Sequence, residues 1–278
     1  MACTHEEPEE PLQIGQTVSG DSRRIYTIEE ILKERRNQLM CVYSASSSQG
    51  IAYLLKNPVP DAFEDYKTLV ESLAAVPHVR PLKDSITSLK ILVYPFLDGH
   101  LLDFANRDLS PTTRRNIVWD ALRGLARMHN RGVFHNDIKL DNILVVYREN
   151  GEDEPLITDV QIGDLEDAAY TRGGGIAGCV CGNQLWRSPG SWAKGRPSAP
   201  SDIFSFGLFA IYVVLKEIEM APTAEQLDSP DSWRLPLSEW RYGDAEFRDL
   251  VGRMTSLDPA RRITAKEALK HPWFSKTL

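Results

Sequence analysis

Cysteine is scarce in this chain: four in 278 residues, at positions 3, 41, 179 and 181, which is no disulfide framework. Cys179 and Cys181 flank Val180 in a glycine-bearing stretch, but no further Cys or His cluster accompanies them, so free thiols are expected rather than a metal or redox pair. Long apolar runs are missing as well. The longest, Ile203 to Leu215, falls short of the ~20 residues a bilayer crossing needs. No charged-then-apolar signal peptide opens the sequence. These absences predict an intracellular protein, of cytoplasm or nucleus, with no membrane partner. Positive charge is not in excess either: 32 Lys and Arg against 39 Asp and Glu give a net charge of -7, which argues against nucleic acid as a partner. No internal repeat appears, and a monomer is the default expectation.

What is present is ordinary for a folded chain. Hydrophobic content of 42% and charged content of 26% match globular proteins, and the length is ample for a buried core. Glu6-Glu7-Pro8-Glu9-Glu10-Pro11 is acidic and broken by proline, so residues 1–22 are expected to form a disordered tail. Short apolar runs at Leu39–Tyr43 and Ile51–Leu55, split by Ser46–Gly50, read as strands, and Ile91–Tyr94 as another. Residues 61–75 look helical. Ser110-Pro111 reads as a cap with proline at the first helical position, and Val118, Ala121, Leu122, Leu125 and Met128 recur at helical spacing. Asn150-Gly151 predicts a turn between strands Ile143–Tyr147 and Val160–Ile162, leaving Arg148–Thr158 as a hairpin insertion. Ser201-Asp202 is expected to open a helix over 202–215, and Thr264–Glu267 has capping-box spacing. The pattern is α+β: a small β-rich part, then a larger helical one.

The most informative residues are His135-Asn136-Asp137-Ile138-Lys139-Leu140-Asp141-Asn142, followed by an apolar run and then Gly163-Asp164-Leu165-Glu166. This arrangement resembles the H-x-D-x-K-x-x-N loop and metal-binding Asp of protein kinases. Further stretches carry the same likeness. Asp202-Ile203-Phe204-Ser205-Phe206-Gly207 is similar to the start of the family's central helix, and Gly182–Gly190 to its loop ending in A-P-E. Asp258–Ala265 and Ala268–Phe274 are similar to its closing segment. The chain thus resembles the eukaryotic protein kinases over nearly all of residues 25–275. Asp164-Leu165-Glu166-Asp167 with Trp186-Arg187-Ser188-Pro189 is most like a divergent fungal group of Ser/Thr kinase-like proteins.

The resemblance implies a two-lobed kinase-like fold, with an N-lobe over 23–97, a hinge at 94–97 and a C-lobe over 98–278. It implies ATP and Mg²⁺ as cofactors and a protein substrate or regulatory protein as partner. Asp137 would orient the attacking hydroxyl and Lys139 would neutralise the moving phosphate, the latter favouring Ser/Thr acceptors. Asn142 and Asp164 would hold the metal. Lys56 would contact the phosphates, with Glu64 as its helix partner and Glu71 as second choice. Tyr94 would limit pocket depth, while the Pro95 carbonyl and the Leu97 N–H would meet the adenine; proline lacks only an N–H that is not required there.

Departures from the pattern bear on activity. The three loop glycines that cover phosphates fall on Arg35, Asn37 and Met40, so weak ATP affinity is expected. Asn136 replaces the arginine that pairs with a phosphorylated loop, so loop phosphorylation is not the expected switch. Glu166 replaces a glycine, facing either solvent or metal. Gly190 replaces the glutamate that pairs with an arginine matching Arg262, which leaves two outcomes: another carboxylate for Arg262, or a loosely held loop. The alternatives to an active enzyme are a pseudokinase scaffold or nucleotide sensor, and a small-molecule phosphotransferase.

Overall fold

The stretch Met40–Ser47 alternates strictly, each buried side chain followed by a half-buried one, as a strand covered on one face must. It is β3 of a six-stranded antiparallel sheet in the computed structural model, which describes residues 10–35, 39–105, 107–151, 153–170, 182–196, 198–215 and 243–277. The other strands are β1 (Thr17–Ser19), β2 (Ile25–Arg35), β4 (Ala52–Lys56), β5 (Asp84–Ile86) and β6 (Ile91–Pro95), in the order β1-β2-β3-β4-β6-β5. Tyr26, Ile28, Cys41, Tyr43, Leu55, Ile91 and Val93 form the core on one face, with the Tyr26 and Tyr53 rings edge to face at 5.2 Å. Helix α1 (Phe63–Leu73) buries Phe63, Tyr66, Leu69, Val70 and Leu73 along one stripe.

Residues 10–22 depart from the expected tail. Leu12 is buried and its N–H donates to the Tyr43 hydroxyl at 3.1 Å, while β1 pairs with β2 from Thr17↔Thr27 to Ser19↔Ile25. Asp21 accepts from the hydroxyls of Ser85 and Thr87, each at 2.6 Å, and buried Asp84 accepts from Ser22 and from Tyr26 at 2.9 Å. The acidic, proline-broken signal belongs to residues 6–11; the polar residues after it satisfy the sheet edge and belong to the β-rich unit, which therefore starts before residue 23. Residues 1–9 lie outside the described residues, as do Cys3, Cys179 and Cys181.

Chain contacts divide at Leu97/Asp98 into a β-rich unit and a mainly helical one. This is the α+β, two-part organisation that the resemblance implies. In the second unit, α2 (Pro111–Asn130) starts where Ser110 Oγ accepts from Thr113 N at 3.2 Å, and it fully buries the row Val118, Ala121, Leu122, Leu125 and Met128. Around it lie β7 (Gly99–His100), β8 (Val133–Phe134), β9 (Ile143–Asn150), β10 (Asp153–Ile162) and β11 (Ala169–Tyr170). Among the described residues these are followed by the single turn α3 (Pro189–Trp192), then α4 (Ala199–Leu215), α5 (Ala245–Met254) and α6 (Ala265–Ala268).

Two sequence expectations shift here. The insertion Arg148–Thr158 is not a loose loop: β9 and β10 continue to Asn150 and from Asp153, with two register shifts. Glu154 binds Ser110 N at 2.6 Å and Thr113 Oγ1 at 3.2 Å, which ties the hairpin to the start of α2 and lowers the carboxyl's pKa. Helix α4 opens at Ala199, so Asp202 sits within its first turn rather than at its cap. Helix α4 is buried nearly all round, and a Cβ on Gly207 would come within 2.7 Å of Thr255 Cγ2; glycine there admits the C-terminal end of α5. The capping box at Thr264 and Glu267 forms as its spacing predicts. Among the described residues no helix is long and apolar enough to cross a membrane.

Candidate active site

The loop between β8 and β9 is held from beneath by Asp202. This carboxylate, 1% exposed, accepts from the backbone N–H of His135 and of Asn136, both at 2.8 Å, and meets His129 Nε2 at 2.9 Å. Asn136 adopts φ 65°, a left-handed conformation that Asn tolerates better than most side chains. His135 is fully buried and structural: Nδ1 accepts from Asp137 N at 3.2 Å, so the ring proton is on Nε2 and is donated to Gly163 O at 2.9 Å. The position that the resemblance would give to a phosphate-pairing arginine is the Asn136 amide, which donates to Asp167 O at 2.8 Å.

Above this base the expected catalytic residues converge. Lys139 Nζ lies 2.8 Å from Asp137 Oδ2, and Asn142 Nδ2 donates both to Asp137 O at 2.8 Å and to Asp137 Oδ2 at 2.9 Å. Those two bonds fix the amide's orientation and leave Asn142 Oδ1 with no protein donor among the described residues. Gly163 N donates to Asn142 O at 2.8 Å, which brings the neighbouring Asp164, at φ 53°, beside Asn142. Burial works against the charge on Lys139, but its bond to Asp137 and the carboxylates of Asp141 and Asp164 outweigh it, so its pKa is raised. Among the described residues no three His, Cys, Asp or Glu side chains gather as a metal cage. Mg²⁺ does not need one, because it keeps waters and binds through one or two protein oxygens plus phosphate. Asn142 Oδ1 and the Asp164 carboxylate fit that donor set. Glu166 is exposed, as Asp164 is, so exposure does not separate its solvent and metal alternatives.

The segment 182–192 crosses the same loop. Asn183 N donates to Asp137 Oδ1 at 2.6 Å and Gly182 N to Asp167 Oδ2 at 3.0 Å. A Cβ on Gly182, whose φ is 74°, would sit 2.3 Å from Asn136 O, so the approach requires glycine. Neither contact was legible beforehand; a glycine so far along the chain from Asn136 carries no pattern of its own. Among the described residues Arg262 forms no ion pair, and the Asp258 carboxylate acts on it only through space. Arg262 is 7% exposed and donates to three carbonyls, Ser256 O at 2.6 Å, Pro200 O at 3.0 Å and Leu257 O at 3.2 Å, with its guanidinium 5.0 Å from the Phe204 ring centroid. Burial lowers its pKa, yet the carbonyl dipoles replace the missing glutamate.

In the β-rich unit, Lys56 ends β4 half-buried, paired in register with Val42 and Leu92. Glu64 and Glu71 both stand on the exposed side of α1, away from its buried stripe, so the helix does not direct either into the core as an ion-pair partner. Lys67, on the flank of α1, binds Thr87 Oγ1 at 2.9 Å and lies 3.5 Å from Asp21. Tyr94 is buried, with its hydroxyl 3.4 Å from that of Tyr66. Arg80, which sequence reasoning missed, donates to the Pro95 carbonyl at 2.6 Å and stacks 5.2 Å from the Tyr94 ring centroid. That uses one of the carbonyl's two lone pairs. The Leu97 N–H has no acceptor among the described residues. Arg35 ends β2 and Met40 begins β3, so the ladder runs through two of the positions where glycines were sought; Asn37 lies outside the described residues.

The family described as "Protein kinase domain" matches residues 70–274. Calcium/calmodulin-dependent protein kinase cmkB of Emericella nidulans is 25% identical over 205 residues, 69% of this chain and 48% of that protein. Probable serine/threonine-protein kinase WNK8 of Oryza sativa subsp. japonica is 34% identical over 185 residues, 65% of this chain and 28% of that protein. Ribosomal protein S6 kinase 2 alpha of Xenopus laevis is 25% identical over 270 residues, 91% of this chain and 36% of that protein. The chain spans less than half the length of each of these relatives. With the family matched across most of its length, and the Asp137–Lys139–Asn142 cluster formed beside Asp164, the chain belongs to the protein kinase domain family.

Proposed function

We propose that the protein transfers a phosphoryl group from ATP, with Mg²⁺, to Ser or Thr hydroxyls of proteins. The observation that carries this reading is the Asn142 amide: its nitrogen clamps Asp137 while its oxygen has no protein donor among the described residues, and the backbone carbonyl of Asn142 binds Gly163 N, one residue before Asp164. Asp137 receives or orients the acceptor's proton, and Lys139, held 2.8 Å from it, neutralises charge on the moving group. Asn142 Oδ1 and Asp164 would hold Mg²⁺, which would neutralise charge on the phosphates. Lys56 would contact phosphates, and the Pro95 carbonyl and Leu97 N–H the base. The compartment proposed is cytoplasm or nucleus, with a protein substrate as partner.

A second reading, a pseudokinase scaffold or nucleotide sensor, is favoured by two observations. The strands run on where phosphate-covering glycines were sought, and Arg80 already occupies the Pro95 carbonyl. A thermal-shift titration with ATP, with and without Mg²⁺, on wild type and Asp164→Asn tests both. Magnesium-dependent stabilisation lost in the variant supports the nucleotide site, whereas none at millimolar ATP favours the scaffold. Incorporation of labelled phosphate into a generic protein substrate, abolished by Asp137→Asn, then separates enzyme from sensor.

A further inference from the structure

The segment bonded to Asp137 has a chemistry that the transfer reaction does not use. From Gly182 to Arg196 the sequence holds Arg187, Lys194 and Arg196 and no Asp or Glu. It is pinned at three points, Gly182 N on Asp167 Oδ2, Asn183 N on Asp137 Oδ1 and Trp186 O on the Ser205 hydroxyl at 2.6 Å, while buried Ser188 caps α3 within it. Arg187 is spent internally, donating to Gly182 O and lying 5.5 Å from the Trp192 ring centroid. Lys194 and Arg196 are exposed, and neither forms an ion pair among the described residues. Two large apolar side chains are exposed on the same segment, Leu185 at 69% and Trp192 at 49%. Leu185 follows Asn183 by two residues, so it lies within about 7 Å of chain from the amide on Asp137.

A segment that is fastened at the catalytic carboxylate and exposes Leu185, Trp192 and the charges of Lys194 and Arg196, which form no ion pair among the described residues, is complementary to an apolar, acidic polypeptide. We infer that the acceptor Ser or Thr is flanked, on one side and within a few residues, by an apolar residue and by Asp or Glu. Leu185 and Trp192 take the apolar residue, and Lys194 and Arg196 select the charge. The inference rests on the proposed transfer to protein hydroxyls and adds the class of substrate.

The test uses the full chain and a peptide library in which acidic, basic and apolar residues are placed at each of four positions on either side of a Ser acceptor. Both kcat/KM and binding of fluorescein-labelled peptides, read by anisotropy, are measured for wild type and for Lys194→Glu/Arg196→Glu. Acidic peptides should be preferred over their lysine counterparts by about fivefold, the scale of two exposed charge contacts, and the preference should shrink with added salt. The double variant should invert it, and Leu185→Ser should weaken the apolar preference alone. Transfer without charge preference, or a preference that the double variant leaves intact, overturns the inference while phosphoryl transfer stands. If no peptide is phosphorylated and Mg-ATP does not stabilise the chain, the transfer reading falls. Anisotropy then decides the rest: acidic peptides released by the double variant sustain the strip as a docking surface, and equal binding of acidic and basic peptides removes it.

Discussion

Replacing Asp202 by Ala should cost more than its distance from the chemistry implies. The carboxylate is the acceptor for two backbone N–H groups, those of His135 and Asn136, and it meets His129. A buried donor left without a partner costs about 1–3 kcal/mol. Two such amides therefore set the loss at about 2–6 kcal/mol. A cavity of about 10 Å³, lined in part by Asn136, Asp137 and Asp202, adjoins the site, enough for one water. With the space vacated by the carboxylate added, water can reach the amides, so the expectation sits near the middle, about 3 kcal/mol. That corresponds to a fall in the unfolding midpoint of roughly 6–12 °C. Because the bonds of left-handed Asn136 among the described residues are the one to Asp202 and that of its own amide, Asp137 should lose its orientation as well. Hydrogen exchange of the His135 and Asn136 amides should rise with the loss of stability, and phosphate transfer should fall together with it. A loss under about 1 kcal/mol with both amides still protected would refute the reasoning, because it would mean the turn holds itself.

Three other outcomes follow from the structure. Burial alone would raise the Asp21 pKa, but bonds from Ser85 and Thr87, with Lys67 nearby, hold it at about 2. A carboxyl depressed on folding adds stability that is full above its unfolded pKa and lost as pH falls through the folded value, so the margin of wild type over Asp21→Asn should shrink from about pH 4 towards 2 in acid-unfolding curves. Arg262→Lys keeps the charge but gives up the planar fork that reaches three carbonyls, so chemical denaturation should register a loss of about 1–3 kcal/mol. Gly182→Ala must move the segment off Asn136 O, which a Cβ would approach to 2.3 Å; stability should drop by about 1–2 kcal/mol, and transfer should fall more steeply than substrate binding when kcat and KM are separated.

The strands, the helices and the grouping of 137, 139 and 142 were legible because each rests on local pattern: alternation in Met40–Ser47, a helical row in α2, and fixed spacing around Asp137. What escaped depends on partners distant in sequence. Nothing in residues 12–22 announces that Leu12 meets Tyr43 or that Asp21 and Ser22 close on Ser85 and Asp84. The rule that Arg262 needs a carboxylate failed because three backbone carbonyls are invisible in side-chain spelling. Glu64 failed for the opposite reason: its residue type suited an ion pair, but α1 turns it outward.

The bond from Glu154 to the start of α2 has a consequence for how the chain tolerates a break. The tip at Asn150-Gly151 is joined below by a ladder from Leu156↔Arg148 to Ile162↔Ile143, and the far strand is stapled to Ser110 and Thr113. A protease that nicked this tip would find both new ends still fastened, one by the sheet and the other by the sheet and the helix start. The two fragments should travel together on a sizing column and separate only in denaturant.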